Sequence, residues 1–478
     1  MVDAPVFAYE PVLRCLQSTV ELSLWQELFA ISDEEVEAAV RVPDVAPLDL
    51  ISDIDDDGGS DLQSTLSLPR PVDLEKSQLD SLFAGLRQSV SLIQGPPGTG
   101  KSFIGALLTR ALVEQTSETI LIVCYTNHAL DQFLEDLLDI GISAEHMVRL
   151  GAKSTPRTEP LQLNKQSSRG RQPYDLINAL REEAEDHETS SRQLLSSLQS
   201  FKLNWRSLME YLEFSDDDGF DFFSAFQVPD NPDGKIVGRK GKAITDNCLY
   251  ERWRDGHDAG VLKSSISADH ESIWAMDKTT RGEKIRSWTQ QLLQERIAGV
   301  SGLAGMYDRT ESTLRDAWDQ KNSRIIQDKR IIACTTTAAA KYTKQLSAAA
   351  PGIIIVEEAG EILETHVLTA MTPDTKHLVL IGDHQQLRPK VNNYALTVEK
   401  GEGYDLSRSL FERLIRAGIP HTTLRQQHRM CPEISSLVRQ LTYPDLVDAP
   451  STLNRDSIRG IRARVVFIDH RQPELGTS

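Results

Sequence analysis

The sequence predicts an α/β fold, a parallel, doubly wound sheet with helices on both faces. Three observations predict it. Short continuous apolar runs recur at Val90–Ile93, Thr119–Tyr125, Arg330–Thr335, Gly352–Val356 and His377–Ile381. Runs of this length without polar alternation suit strands covered on both faces. Helical patterns lie between them, and that alternation argues for parallel strands joined by crossovers. The third observation is Gly95-Pro96-Pro97-Gly98-Thr99-Gly100-Lys101-Ser102, which fits G-x-x-x-x-G-K-[ST]. An apolar run leads into it and a helical pattern from Phe103 to Val113 leads out, the setting a phosphate-binding loop requires.

The chemistry of that loop follows from its backbone. Gly95, Gly98 and Gly100, with Thr99 between them, let consecutive N–H groups turn inward around phosphate oxygens, and the helix N-terminus adds positive potential. Lys101 can reach the β- and γ-phosphates, and the Ser102 hydroxyl can ligate Mg²⁺.

In chain order, residues 1–70 read as a lead-in. Val12–Leu28 has helical periodicity, and Ser52–Asp61 is an acidic linker. Gln78 precedes the loop by one helix, where its bidentate amide can read adenine. Thr126 and Asn127 follow the second strand. Small polar groups at a helix start suit phosphate contacts of a bound strand, and either residue suits an N-cap; both readings hold together. Residues 155–328 form an insertion that is polar and mostly helical in pattern. Within it, Tyr174–Phe201 and Gly282–Gln327 read as long helices packed as an antiparallel stalk, with an acidic Phe214–Asp221 and a basic Lys235–Lys242 between them.

The run Ile353–Val356 ends in Glu357-Glu358. One carboxylate there can hold the water shell of Mg²⁺, and its neighbour can orient or deprotonate an attacking water. His377–Ile381 is followed by Gly382-Asp383-His384-Gln385-Gln386, which places a neutral amide, Gln386, where a γ-phosphate can be sensed. Arg429 lies beyond a linker; presented from a second lobe it can act as a finger on a transferring phosphoryl group, and by itself it reads as an ordinary surface arginine.

Bulk properties set outer bounds. The 478 residues are enough for two to four domains, and 40% hydrophobic residues can fill their cores. No apolar run approaches the ~20 residues of a membrane helix. The N-terminus shows no basic region followed by an apolar signal core. Five scattered cysteines include no C-x-x-C pair, so neither a zinc site nor a disulfide framework is suggested. A formal charge of -18 makes a poor non-specific binder of nucleic acid, so any such site must be a local basic channel.

Taken in order, Ser77-Gln78, GPPGTGKS, TNHALDQ, Cys334-Thr335-Thr336-Thr337, VEEA, GDHQQLRP and QQHRM resemble the first helicase superfamily, in its up-frameshift-like branch. They span about residues 75–435. TNHALDQFLEDL, VEEAGEILETH and QHRMCPEIS look nearest to the zinc-finger helicases of the X-box-binding-factor type, fungal members of which carry segments like Phe223–Pro229 and Val237–Lys242. The resemblance implies a P-loop NTPase with a RecA-like parallel sheet in residues 71–154 and 329–402, interrupted by the insertion. It implies an incomplete second RecA-like lobe in 403–478, with Val465–Asp469 as an early strand. It implies ATP and Mg²⁺ as cofactors, with Ser102 and Glu357 at the metal, Glu358 as base, Gln386 as sensor and Arg429 reaching in from the second lobe. Glu357 stands where many relatives carry Asp, a variant usual in the branch. Thr126, Asn127, Thr335 and Thr336 are then contacts to single-stranded RNA or DNA. RNA silencing and heterochromatin, beside an RNA-dependent RNA polymerase, are the implied setting, nuclear or cytoplasmic with the nucleus favoured. The zinc-finger array and the later motifs of the branch are absent, so the chain is expected to be a central fragment or a shortened product.

Overall fold

The computed structural model describes residues 6–30, 41–47, 49–52, 62–167, 174–199, 201–215, 218–229, 244–456, 459–460 and 463–470. The basic Lys235–Lys242 and all of the acidic linker after Ser52 lie outside the described residues. Two units are distinguishable, residues 1–172 with 319–478, and residues 173–318.

The first unit is built on a seven-stranded parallel sheet. Its strands are β1 (Val90–Gln94), β2 (Ile120–Cys124), β3 (Met147–Arg149), β4 (Ile331–Thr335), β5 (Ile353–Glu357), β6 (His377–Gly382) and β7 (His421–Thr423), in the order β3-β4-β2-β5-β6-β1-β7. The five apolar runs of the sequence are all strands. Alternate residues of these five strands enter two separate cores. Ile93, Ile122, Ile355 and Ile381 face one, and Leu92, Val123, Val356 and Leu380 face the other. Both faces are therefore dry, as the unbroken apolar runs require, and burial of each such side chain contributes about 1.5–3 kcal/mol.

The register lines up the strand ends. Gln94 pairs with Gly382, Glu357 with Ile381 and Cys124 with Thr335. The polar motifs that follow β1, β2, β4, β5 and β6 thus emerge along one edge of the sheet, where open parallel sheets bind their ligands. β7 pairs in parallel with the far side of β1, and the chain after it forms a two-stranded parallel ribbon, β8 (Gln426–Gln427) with β9 (Val447–Asp448).

Two sequence expectations change. Val12–Leu28 is not one helix; Val6–Ser18 is helical, the chain breaks, and Trp25–Leu28 resumes. The Ser18 and Thr19 hydroxyls both bond the Cys15 carbonyl at 2.9 Å, competing with the helical backbone at that point. Val465–Asp469 is not a strand, and Phe467 is 90% exposed. A strand exists through its neighbours, and no strand among the described residues pairs with this run.

The second unit includes the helix Tyr174–Gln199 and most of the helix Lys278–Gln327. Its centre is aromatic, which the polar reading of the insertion did not foresee. Phe222 meets Trp253 and Trp288 edge-on, with ring centroids 5.7 and 5.0 Å apart. The buried Arg281 guanidinium donates to the carbonyls of Trp253, Trp274, Met276 and His257 at 2.6–3.0 Å.

Candidate nucleotide-binding site

The loop between β1 and the helix Lys101–Gln115 holds Gly98 at φ +82° and Gly100 at φ +86°, backbone that side chains rarely adopt. A Cβ on Gly98 would also come 2.6 Å from the Cβ of Arg429. Thr99 Oγ1 bonds the Pro96 carbonyl at 2.8 Å, and Lys101 Nζ donates to the Gly95 carbonyl at 2.5 Å. Gln78 is buried beside this loop. Its Oε1 accepts from the Glu75 backbone at 3.3 Å and its Nε2 donates to the Thr99 carbonyl at 3.4 Å. The amide therefore braces the loop, and a contact to a base would use its remaining N–H.

Ser102 Oγ donates to Glu357 Oε1 at 2.7 Å. Glu357 Oε2 is buried without a partner, and so is Glu358 Oε2. Burial pushes the Glu357 carboxyl up to about 7, against the Ser102 hydrogen bond and the Lys101 charge. Glu358 is raised too, by burial and then by Glu361, with Lys101 and His128 opposing. Burial lowers Lys101, while Glu357 and Asp383 pull it back up. Glu358 sits at φ +57°, in the left-handed region where a non-glycine residue is strained.

Gln386 Nε2 donates to Asp383 Oδ2 at 2.6 Å. Arg429 follows a direct backbone bond, His428 N–H to the Gly98 carbonyl at 2.8 Å. The arginine segment thus rests on the phosphate loop itself and runs on from β7 in the same unit. Two adjoining cavities, of about 260 and 210 Å³, share Lys101, Ser102, Gln386 and Arg429; the second adds Glu357, Glu358 and Asp383. All six residues expected around the triphosphate end are brought together. Unpaired carboxylate oxygens, a serine hydroxyl and a lysine form a hard-oxygen and cation set that fits a Mg²⁺–triphosphate.

Further along the same edge, Thr126 Oγ1 accepts from Ala129 N at 3.1 Å and Thr335 Oγ1 from Ala338 N at 3.4 Å, so each caps the helix after its strand. Thr126 and Asn127 are exposed, whereas the side chains of Thr335 and Thr336 are buried. Sequence reasoning missed what orients Asn127. Arg149, at the end of β3 and fully buried, donates to Asn127 Oδ1 at 3.0 Å and to Asp131 Oδ1 at 2.7 Å. Thr158 donates to the same Asp131 oxygen at 2.7 Å. An arginine has no acceptor, so the Asn127 carbonyl must face it and the amide N–H₂ is left outward. The signal available was a charged residue inside the apolar stretch Met147-Val148-Arg149-Leu150, which calls for a buried partner.

Fold and site together define a P-loop nucleotide-binding protein of the RecA-like type. The family described as "AAA domain" matches residues 73–393, and a second family of the same description matches residues 406–475. The chain belongs to this AAA-domain family, in the up-frameshift-like branch of the first helicase superfamily. It is similar to the human NFX1-type zinc finger-containing protein 1, 27% identical over 84% of this chain and 27% of the relative. It is also similar to the Schizosaccharomyces pombe helicase required for RNAi-mediated heterochromatin assembly 1, 27% identical over 84% of this chain and 45% of that protein. The Saccharomyces cerevisiae ATP-dependent helicase NAM7 is 23% identical over 83% of this chain and 28% of its own length. The chain thus spans under half the length of each of these relatives. Among the described residues no helix is long and apolar enough to cross a membrane.

Proposed function

We propose that this chain is the ATP-hydrolysing part of an RNA helicase, in which turnover drives movement along single-stranded RNA. The observation that carries the reading is the Ser102–Glu357 pair, with unpaired oxygens of Glu357 and Glu358 beside Lys101 in a cavity that Gln386 and Arg429 also line. Mg²⁺, held by Ser102 and Glu357, would neutralise phosphate charge. Lys101 would neutralise the β- and γ-phosphates, Gln386 would register the γ-phosphate, and Arg429 would offset charge developing on it. Glu358, whose carboxyl burial and the nearby Glu361 raise above its ordinary value, would take the proton of the attacking water.

The outward amide N–H₂ of Asn127 is a donor, and with the cap at Thr126 it suits sugar and phosphate oxygens, hence binding indifferent to sequence. The Thr335–Thr336 loop would contribute through its exposed neighbour Thr337 and its backbone. RNA silencing in the nucleus, beside an RNA-dependent RNA polymerase, is the setting we carry over from the S. pombe relative and the resemblance above.

The test is ATP turnover with and without RNA, in the parent chain and in Glu358→Gln. Glutamine is nearly isosteric but accepts no proton. The variant should keep nucleotide affinity within about twofold and lose turnover by about 10²-fold or more. Undiminished turnover in Glu358→Gln would remove the base assignment, and turnover indifferent to RNA would favour a nucleotide-binding scaffold over a motor.

A further inference from the structure

The loop that carries Gln386 is tied to a residue well beyond Arg429. Tyr443 follows the helix Pro432–Leu441 and is buried. Its hydroxyl donates to Asp383 Oδ2 at 2.6 Å, the same oxygen that accepts from Gln386 Nε2 at 2.6 Å. Asp383 Oδ1 accepts from Gln94 Nε2 at 3.2 Å and from the Gln385 backbone at 3.1 Å. Four donors therefore enclose one buried carboxylate. Of these four residues, Gln386 alone also lines the cavities shared with Lys101 and Arg429.

The geometry points to Tyr443 as a positioning residue that sets the preference for ATP over ADP, by fixing Asp383 and through it the Gln386 amide. The assignment rests on the nucleotide reading above. A side-chain amide on an exposed loop is free to turn, and it discriminates a γ-phosphate only while its direction is held. Asp383 holds it, and Asp383 is itself clamped from both sides in sequence, by Gln94 at the end of β1 and by Tyr443. The segment between Arg429 and Tyr443 is thereby attached to the site at two points: His428 N–H on the Gly98 carbonyl, and the Tyr443 hydroxyl on Asp383. Docking of that segment and readiness of the sensor become one event. Gln386 would answer to the γ-phosphate only when the arginine segment is seated.

Tyr443→Phe tests this with the full chain in Mg²⁺ buffer. It removes one donor and leaves Asp383 Oδ2 its bond from Gln386, so no buried charge is stranded. Affinities for ADP and for the β,γ-imido analogue of ATP are measured in parallel. The ratio favouring the analogue should fall about threefold to tenfold, the worth of one hydrogen bond, with ADP affinity unchanged. In a Gln386→Ala background, Tyr443→Phe should change the ratio no further, because its effect passes through that amide. An unchanged ratio, an equal loss for both nucleotides, or full additivity with Gln386→Ala would overturn the proposal. Lys101→Ala run alongside keeps the two readings apart: undiminished ADP binding there would reject the nucleotide site itself.

Discussion

Two buried polar clusters stand at the same edge of the sheet and are built to opposite rules. Around Arg149 everything is paired. The guanidinium meets Asp131, Asn127 and the carbonyls of Gly151 and Lys153, and Asp131 also receives Thr158. Around Lys101 the pairing is incomplete, with one oxygen each of Glu357 and Glu358 buried and unbonded. A buried polar group without a partner costs about 1–3 kcal/mol. The first cluster avoids that cost within the chain itself, while the second carries it until a ligand supplies the missing partners. Closed networks of this kind are architecture, and open ones mark where a ligand belongs.

Mutation should separate the two rules. The largest effect expected is on stability at the closed cluster. Arg149→Met strands Asp131 as a buried, unpaired charge and should lower the unfolding free energy by about 3–5 kcal/mol, read from the urea midpoint. Arg149→Met combined with Asp131→Leu should recover much of it; no recovery would mean that the ion pair is not the cause. At the open site the effect moves from folding to binding. Lys101→Ala should weaken Mg²⁺–nucleotide binding by about 100-fold or more while the ligand-free melting temperature holds or rises, since burial already disfavours that ammonium. A ligand-free melt that drops as far as that of Arg149→Met would erase the distinction.

The smallest effect expected is a pH dependence at Glu357. Its carboxyl lies at about 7 in the folded chain against an ordinary 4.5. The folded state therefore holds the proton longer than the unfolded chain. That contribution to stability is complete below about 4.5 and is lost as pH rises through about 7, at most about 3 kcal/mol. Glu357→Gln should then match the parent at pH 4.5 and exceed it at pH 8 in a ligand-free melt. Mg²⁺–nucleotide affinity of the parent should climb over the same interval as the carboxylate is freed. Parallel melting curves at every pH would refute the raised carboxyl.

How much of this was legible in the sequence follows the same division. The five strands at Val90, Ile120, Ile331, Ile353 and His377 were readable because both faces of each are buried, so apolar residues run unbroken. β3 and β7 were not, since three residues give no period, and Arg149 and His421 interrupt the apolar signal. Lys101, Ser102, Glu357, Glu358, Gln386 and Arg429 were readable because each stands in a motif at a strand end. Tyr443 and Arg149 act through contacts 60 and 18 residues away in sequence, and no local pattern encodes such partners; Asp383 stood in the motif with Gln386, but its tie to Tyr443 did not show there. The aromatic core of the second unit stayed hidden for a similar reason. Trp253 and Trp288 sit singly among charged and polar residues, Phe222 stands in a short phenylalanine-rich helix between acidic residues, and the three meet only in three dimensions.

The left-handed backbone at Glu358 has a consequence for anyone engineering this chain. At φ +57° an automated search for thermostability would recommend glycine, which relieves strain of about 1 kcal/mol or more. Such a variant would fold well, melt late and pass every quality test that does not involve turnover. With Glu358 as the base proposed above, selection for durability and selection for use would point to different amino acids at this one position.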